Sequence, residues 1–426
     1  MIDRHGSAFY WLWILLLAAP VAWAQDSAPQ NWPSWRGPHG NGSAAPGNYR
    51  SEFSSEQHVA WSAKLPGKGC NTPIVWNRQI FLTAPIDGQD AVLSYGFDGK
   101  QRWATQLGKQ VPGRHRNGSG ANPSLVTDGQ RVYAYFKSGN FAGLDLDGKV
   151  IWKTNLEDRF GKVKLYWDLG TSPVLSRDHV IVAIMHGGES LVAAFDKKSG
   201  QLAWKTDRTY QVPPENDNGY TTPHVLKEGD RQTLLVWGTE HVTAYDAADG
   251  RLIWSCGGFN PNKRKNWPHV GSSVVVDDVL VVPYGRGAHL AGIKIGGEGD
   301  VTETNRLWKV NKIGTFVPSP SAHDGKVYIV KMRGQVYCVD PKTGKVLWKD
   351  AFPRSGKGSF YASPTIADGK LYAARDDGTV FVAQIDGGFK MLSANPFGEQ
   401  IIAGPVAVEG RLLIRTSENL YCIEAP

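Results

Sequence analysis

The sequence is poor in sulfur, with four cysteines and four methionines in 426 residues. Cys70, Cys256, Cys338 and Cys422 stand far apart with no metal-type spacing, which argues against a disulfide-dense scaffold and a cysteine-based zinc site. No Gly-x-Ser-x-Gly, His-Glu-x-x-His or phosphate loop is present, so the familiar nucleophile, zincin and nucleotide signatures are missing. The eleven histidines show no ligand-like pairing; His186-Gly187-Gly188-Glu189 reads as a structural hairpin turn, and no metal is expected. After Phe9 to Ala19 no segment stays apolar for the roughly 18 residues a membrane helix needs. The net charge of +7 is scattered, with short clusters only at Arg114-His115-Arg116 and Lys263-Arg264-Lys265. That pattern suits a solvated basic surface and not nucleic-acid binding.

The single apolar run follows Arg4 and His5 and ends in Ala22-Trp23-Ala24, small residues where a signal peptidase reads. Residues 1–24 are expected to be a signal peptide cleaved before Gln25, with an uncleaved anchor as the alternative. No Cys lies near the cleavage point, so a lipid anchor is not indicated. The expected location is exported: periplasm or cell surface. Membrane contact is expected only by association, and the protein is expected to be a monomer. Residues 25–57 form a Pro/Gly-rich arm, and residues 58–426 a repeat region.

Tryptophan is what the chain does have: sixteen in all. Trp61, Trp103, Trp152, Trp204, Trp254, Trp308 and Trp348 recur at about 40 to 54 residues, the range of propeller blades. In five repeats a Gly stands four residues earlier (Gly99, Gly148, Gly200, Gly250 and Gly344), and an Asp often closes the strand before it, as Asp196, Asp246 and Asp340 do. The pattern predicts a hairpin in which Asp caps a turn, Gly takes a positive φ and Trp lies on the outgoing strand. The indoles are expected to act as packing wedges between repeats. Upstream, Thr72-Pro73, Asn122-Pro123, Ser172-Pro173, Thr222-Pro223, Ser319-Pro320, Ser363-Pro364 and Gly404-Pro405 each open a strand, where Pro is tolerated.

Each unit therefore reads as four antiparallel strands, one propeller blade. Gly271-Ser272-Ser273 adds an eighth unit without Pro, and Met391 replaces the indole in one repeat. The last unit runs out at Tyr421-Cys422-Ile423, so Val59-Ala60-Trp61 is expected to complete its sheet and remove the open edges. The expected fold is all-β: an eight-bladed propeller of four-stranded antiparallel blades, closed by the N-terminal strand pairing with the C-terminal blade. Seven blades remain if the Met391 unit is miscounted. Cys338 and Cys422 hold matching places in non-adjacent repeats, so buried, unpaired thiols are expected.

The Asp…Gly-x-x-x-Trp hairpin after a Pro-opened strand resembles the repeat of the pyrroloquinoline-quinone (PQQ) dehydrogenase-like superfamily, over nearly all of Ala60 to Pro426. The stretch from Asn31 to Gly42, with Trp32, Trp35, Arg36 and Gly37, resembles the segment before the propeller in secreted repeat proteins of planctomycete-type bacteria; its two indoles are expected to dock the arm on the propeller face. One branch of the superfamily comprises quinoprotein alcohol dehydrogenases, which hold PQQ and calcium on the axis and carry a vicinal Cys-Cys pair that this chain lacks. The other comprises non-enzymatic scaffolds similar to BamB of the outer-membrane assembly machinery. The resemblance implies a non-catalytic envelope scaffold contacting envelope proteins, with no cofactor and no catalytic residue. A PQQ- and calcium-binding oxidoreductase, or a propeller binding carbohydrate or another small ligand, is the alternative.

Loops leading into the innermost strands carry aromatic and basic residues: Arg114, His115, Arg116 and Asn117; Trp167 and Asp168 after Tyr166; Asp217, Asn218 and Tyr220; Lys265, Trp267 and His269; Phe316; Lys357, Phe360 and Tyr361. Of these, Arg114, Arg116, Trp167, Asp168, Asp217, Tyr220, Lys265, Trp267, Phe316 and Tyr361 are the candidate ligand-binding residues of the channel mouth. The competing expectation is that the rings plug the channel and seal the core.

Overall fold

The computed structural model describes residues 1–2, 30–354, 356 and 358–426. The signal-peptide reading rests on residues 4–24, which lie outside the described residues, as does Lys357.

Eight sheets follow one another along the chain. Seven have four strands; blade 4 gains a fifth where Gly299–Asp300 pairs in parallel with Trp254 and Ser255. The first seven blades span residues 74–109, 126–155, 174–207, 224–256, 274–311, 321–351 and 365–396. Blade 8 is built from Val406–Val408, Arg411–Arg415 and Asn419–Ile423, and its outermost strand is Val59–Lys64, with Trp61 opposite Cys422. The ring is closed by its own two ends, and there are eight blades.

Burial explains the strand patterns. Middle strands such as Val279–Tyr284 and Leu191–Asp196 read as near-continuous apolar runs because neighbouring blades cover both faces. Outer strands such as Arg306–Asn311 and Val59–Lys64 alternate, one face packed and one in water. Eight hydrophobic clusters result, one at each interface between adjacent blades, including one joining blade 8 to blade 1.

The tryptophan repeat acts as expected and more fully. Each indole lies opposite a small residue on the adjacent strand: Ser94, Gly143, Ala194, Ala244, Gly292, Cys338 or Cys422. In five cases the ring then rests on the hairpin glycine of the following blade. A Cβ added to Gly99, Gly148, Gly200, Gly250 or Gly344 would lie 2.4–2.6 Å from the ring of Trp61, Trp103, Trp152, Trp204 or Trp308. All five glycines have φ between +69° and +87°. The indole N–H donates to the same hairpin, as Trp103 does to the Leu146 carbonyl at 2.9 Å and Trp152 to that of Lys197 at 3.0 Å. The capping aspartates fit the reading: Asp196 Oδ1 accepts from the amides of Lys198 and Ser199.

Two expectations need correction. Asn122-Pro123 does not stand where the other Ser/Thr-Pro pairs do. The equivalent residue is Ser124, which takes part in the axial hydrogen-bond ring described below, so the blade 2 motif is displaced by two residues. The four cysteines are unpaired, but Cys70 is only half-buried, because it lies at the axial cavity and not in a strand.

Candidate functional site

The innermost strands begin around the axis with a belt of hydroxyls. The backbone N–H of Thr72 donates to Ser124 Oγ, Ser124 to Ser172, Ser172 to Thr222, Thr222 to Ser272, Ser272 to Ser319 and Ser319 to Ser363, all at 2.9–3.0 Å. Gly404 N–H returns the ring to Thr72 Oγ1 at 3.2 Å. Gly404 has no hydroxyl, which leaves the one link from Ser363 unmade. A Ser or Thr is needed at this place because a buried amide facing the axis has no ladder partner of its own.

One end of the channel is closed by the arm. Trp32, 1% exposed, pairs through its backbone with Val75. Arg36 sends its guanidinium to the carbonyls of Pro320 and Pro364 and to Ser321 Oγ, 2.7–3.0 Å away. Burial pulls the Arg36 side chain down to about 9. Its neighbour Trp35 forms part of the floor of an axial cavity of about 510 Å³. The cavity opens at the opposite face, where the loops between blades and the turns joining each second and third strand converge.

The structure divides the expected residues. Trp167, Asp168, Tyr220, Phe316 and Tyr361 line the axial cavity together with His115. Trp167 is 40% exposed and stands edge-on to His115, ring centres 5.1 Å apart. Tyr220 is buried and supports the mouth: its hydroxyl accepts from the Trp167 amide at 2.9 Å, and burial raises its phenol. Tyr220 and Phe360 are packed, while Trp167 faces solvent.

Arg114, Arg116, Asp217, Lys265 and Trp267 are not brought to the cavity. Arg114 lies over the Tyr166 ring at 5.3 Å and, with Asp217, edges a shallow groove outside the mouth. Arg116 and Lys265 point into water. Trp267 lines a separate side pocket between blades 4 and 5. The long loops carry these residues radially outward, a displacement that residue type alone does not signal.

Arg286, Met332 and Trp35 line the cavity and were not among the candidates. Arg286 and Met332 lie in turns between second and third strands, on the same face as the inter-blade loops; counting strand direction through a blade is the signal that finds them. Arg286 covers the Phe316 ring at 4.8 Å.

Asp168 is the one carboxylate in the cavity lining. Its side chain is 3% exposed and pairs with Lys137 Nζ at 2.7 Å, while its oxygens also accept from the amides of Arg114 and His115. Burial pushes the Cys70 thiol up, against the opposing pull of Lys68 and Arg415, so it is no ready thiolate. Among the described residues no group of three or more His, Cys, Asp and Glu side chains converges on a metal position. Calcium needs several oxygen ligands, and a single neutralised carboxylate does not fit a calcium-held quinone. What the cavity offers is aromatic faces, a guanidinium and a few amides.

Comparison with known proteins agrees with the architecture. The family model described as outer membrane protein assembly factor BamB matches residues 54–212, 147–303 and 238–390. The chain is 24% identical over 334 residues to the outer membrane protein assembly factor BamB of Yersinia pestis, covering 76% of this chain and 77% of that protein. BamB from Moraxella catarrhalis superposes with a TM-score of 0.61 at 16% identity, over 85% of this chain and 98% of its own. A europium-containing methanol dehydrogenase superposes at 0.69 with 11% identity, over 93% and 98%; at such identities these structures share the fold.

Proposed function

The chain belongs to the family described as outer membrane protein assembly factor BamB, and on that premise we propose that it is a non-catalytic, exported propeller serving as a protein-interaction scaffold at the cell envelope. The observation that carries this reading is on the outer rim. Ile151, Leu202, Leu252, Leu307 and Leu347 are exposed on the fourth strands of five consecutive blades, at 39–47% of their surface, and in all of these but blade 4 that strand is the open edge of its sheet. Unpaired strand edges bearing aliphatic side chains suit extended segments of partner proteins added as strands. The axial chemistry supports the same reading, because its carboxylate is held by Lys137 and two amides. No helix among the described residues is long and apolar enough to cross a membrane.

The test is capture from envelope extracts with the full chain, followed by binding of the captured proteins in purified form. Leu307→Lys with Leu347→Lys is expected to weaken that binding by about tenfold or more, the loss of one or two buried aliphatic contacts, with an unchanged melting temperature. Dye-linked alcohol oxidation after addition of PQQ and calcium would instead establish the oxidoreductase reading.

A further inference from the structure

The pocket that takes Trp267 away from the axis is a built cavity of about 510 Å³ between blades 4 and 5. Its floor and walls are aromatic. Phe259 and Tyr284 meet edge to face at 5.2 Å, Tyr284 lies against His289 at 4.9 Å, and Trp267 faces His289 at 5.6 Å. Arg264 and Lys309 are its charged lining residues, and no carboxylate lines it. Arg264 sits 5.8 Å over the Trp267 ring, and among the described residues neither Arg264 nor Lys309 has an ion-pair partner. Lys309 is held below the usual lysine range by partial burial and by Arg306 nearby, with Glu303 acting in the opposite sense.

The loop that carries Arg264 is fixed from below. Asn260 donates to the carbonyl of Arg264 at 2.8 Å and accepts from its amide at 2.9 Å. Asn216 donates to the same carbonyl, and both asparagines converge on Glu240. The cation is therefore presented by a held backbone, which limits the ordering cost of binding.

We infer that this pocket binds a sugar carrying an anionic group, a carboxylate or a phosphate, with the pyranose face on Trp267 and the anion between Arg264 and Lys309. Aromatic faces take the apolar C–H side of a sugar ring. A guanidinium pairs with carboxylate or phosphate through two parallel hydrogen bonds, and the ammonium adds a second point charge. Cations left without carboxylates in a half-enclosed aromatic pocket select for a ligand that brings its own negative charge. The site shares no lining residue with the axial cavity. Although Lys309 stands two residues from Leu307 on the outer strand of blade 5, the two readings fail separately, because one is read from small-anion titration and the other from binding of captured envelope proteins.

Isothermal titration of the full chain with glucuronate, glucose 6-phosphate and glucose tests it. Both anions are expected to bind and glucose to bind at least about tenfold more weakly, the worth of one charge-assisted hydrogen bond. Arg264→Gln and Lys309→Gln, both at solvent-exposed positions, should each weaken the anions by about tenfold or more while leaving the melting temperature in place. Trp267→Phe should retain binding and Trp267→Ala lose it. Glucose binding as tightly as the anions, anions binding the Gln variants as tightly as the parent, or no binding of either anion overturns the inference.

Discussion

Single residues carry two separable constraints in the hairpins. Gly344 has φ +71° and would place a Cβ 2.6 Å from the Trp308 ring, whereas Gly387 has φ +77° with open space around it. Gly387→Ala is expected to cost about 1 kcal/mol, the backbone penalty alone; Gly344→Ala adds displacement of an indole and should cost about 3 kcal/mol, read from urea midpoints. His269 sets a pH dependence. Burial, then Arg208, hold its imidazole down to about 3, while in the unfolded chain it titrates near 6.5. Between those values the unfolded state binds more protons, so stability is full above pH 6.5 and falls as pH drops, by up to about 1.4 kcal/mol per unit. His269→Phe keeps a ring against Trp237, 4.6 Å away, and should make the decline in stability between pH 6 and 4 shallower; an unchanged slope would contradict the assignment.

The blade is the element that repeats, and its joint to the next blade is the indole on the following hairpin. Trp152 donates to Lys197 at 3.0 Å, while no hydrogen bond of the Trp348 indole is found among the described residues. Trp152→Phe should therefore cost about 1 kcal/mol more than Trp348→Phe in chemical denaturation, the net worth of one hydrogen bond. The exception in the pattern has a structural cause. Met391 holds the indole position, opposite Ala383, but the following blade has no third-to-fourth-strand hairpin, because its outer strand comes from Val59–Lys64. With no hairpin glycine to rest on, a tryptophan there has no dock. Trp254 departs in another way: the insertion carrying Gly299–Asp300 folds back on its strand edge and buries it.

For the molecule as a whole, stability depends on closing the ring. Deleting residues up to Lys64 removes the partner of Asn419–Ile423 and opens the blade 8 edge while stripping one side of the cluster containing Leu65, Val406 and Cys422. Such a chain is expected to melt at lower temperature and to move from a monomer peak to larger species in size exclusion. A monomer with the parent melting temperature would show that the closing strand is dispensable. The arm contributes differently: Trp32, Arg36 and Tyr49 are buried against blades 1, 6, 7 and 8, and Trp35 closes the axial cavity from one side.

The sequence by itself determined the repeat, the strand count per blade, the hairpin chemistry and the closure by Trp61, because these rest on local periodicity and on residues whose backbone needs are visible in isolation. It misplaced the blade 2 opening, since Asn-Pro imitates Ser-Pro and only the axial ring of amides and hydroxyls reveals that Ser124 is the equivalent residue. The site was legible in part: Trp167, Phe316 and Tyr361 do meet at the axis, but Arg114, Lys265 and Trp267 do not. Whether a loop residue points inward or outward depends on how each long loop folds over its neighbours, and that is decided by contacts between blades about 50 residues apart, such as Asn216 with Trp267 and Asp168 with Arg114. Periodicity fixes the blades; only the assembled ring fixes what their loops surround.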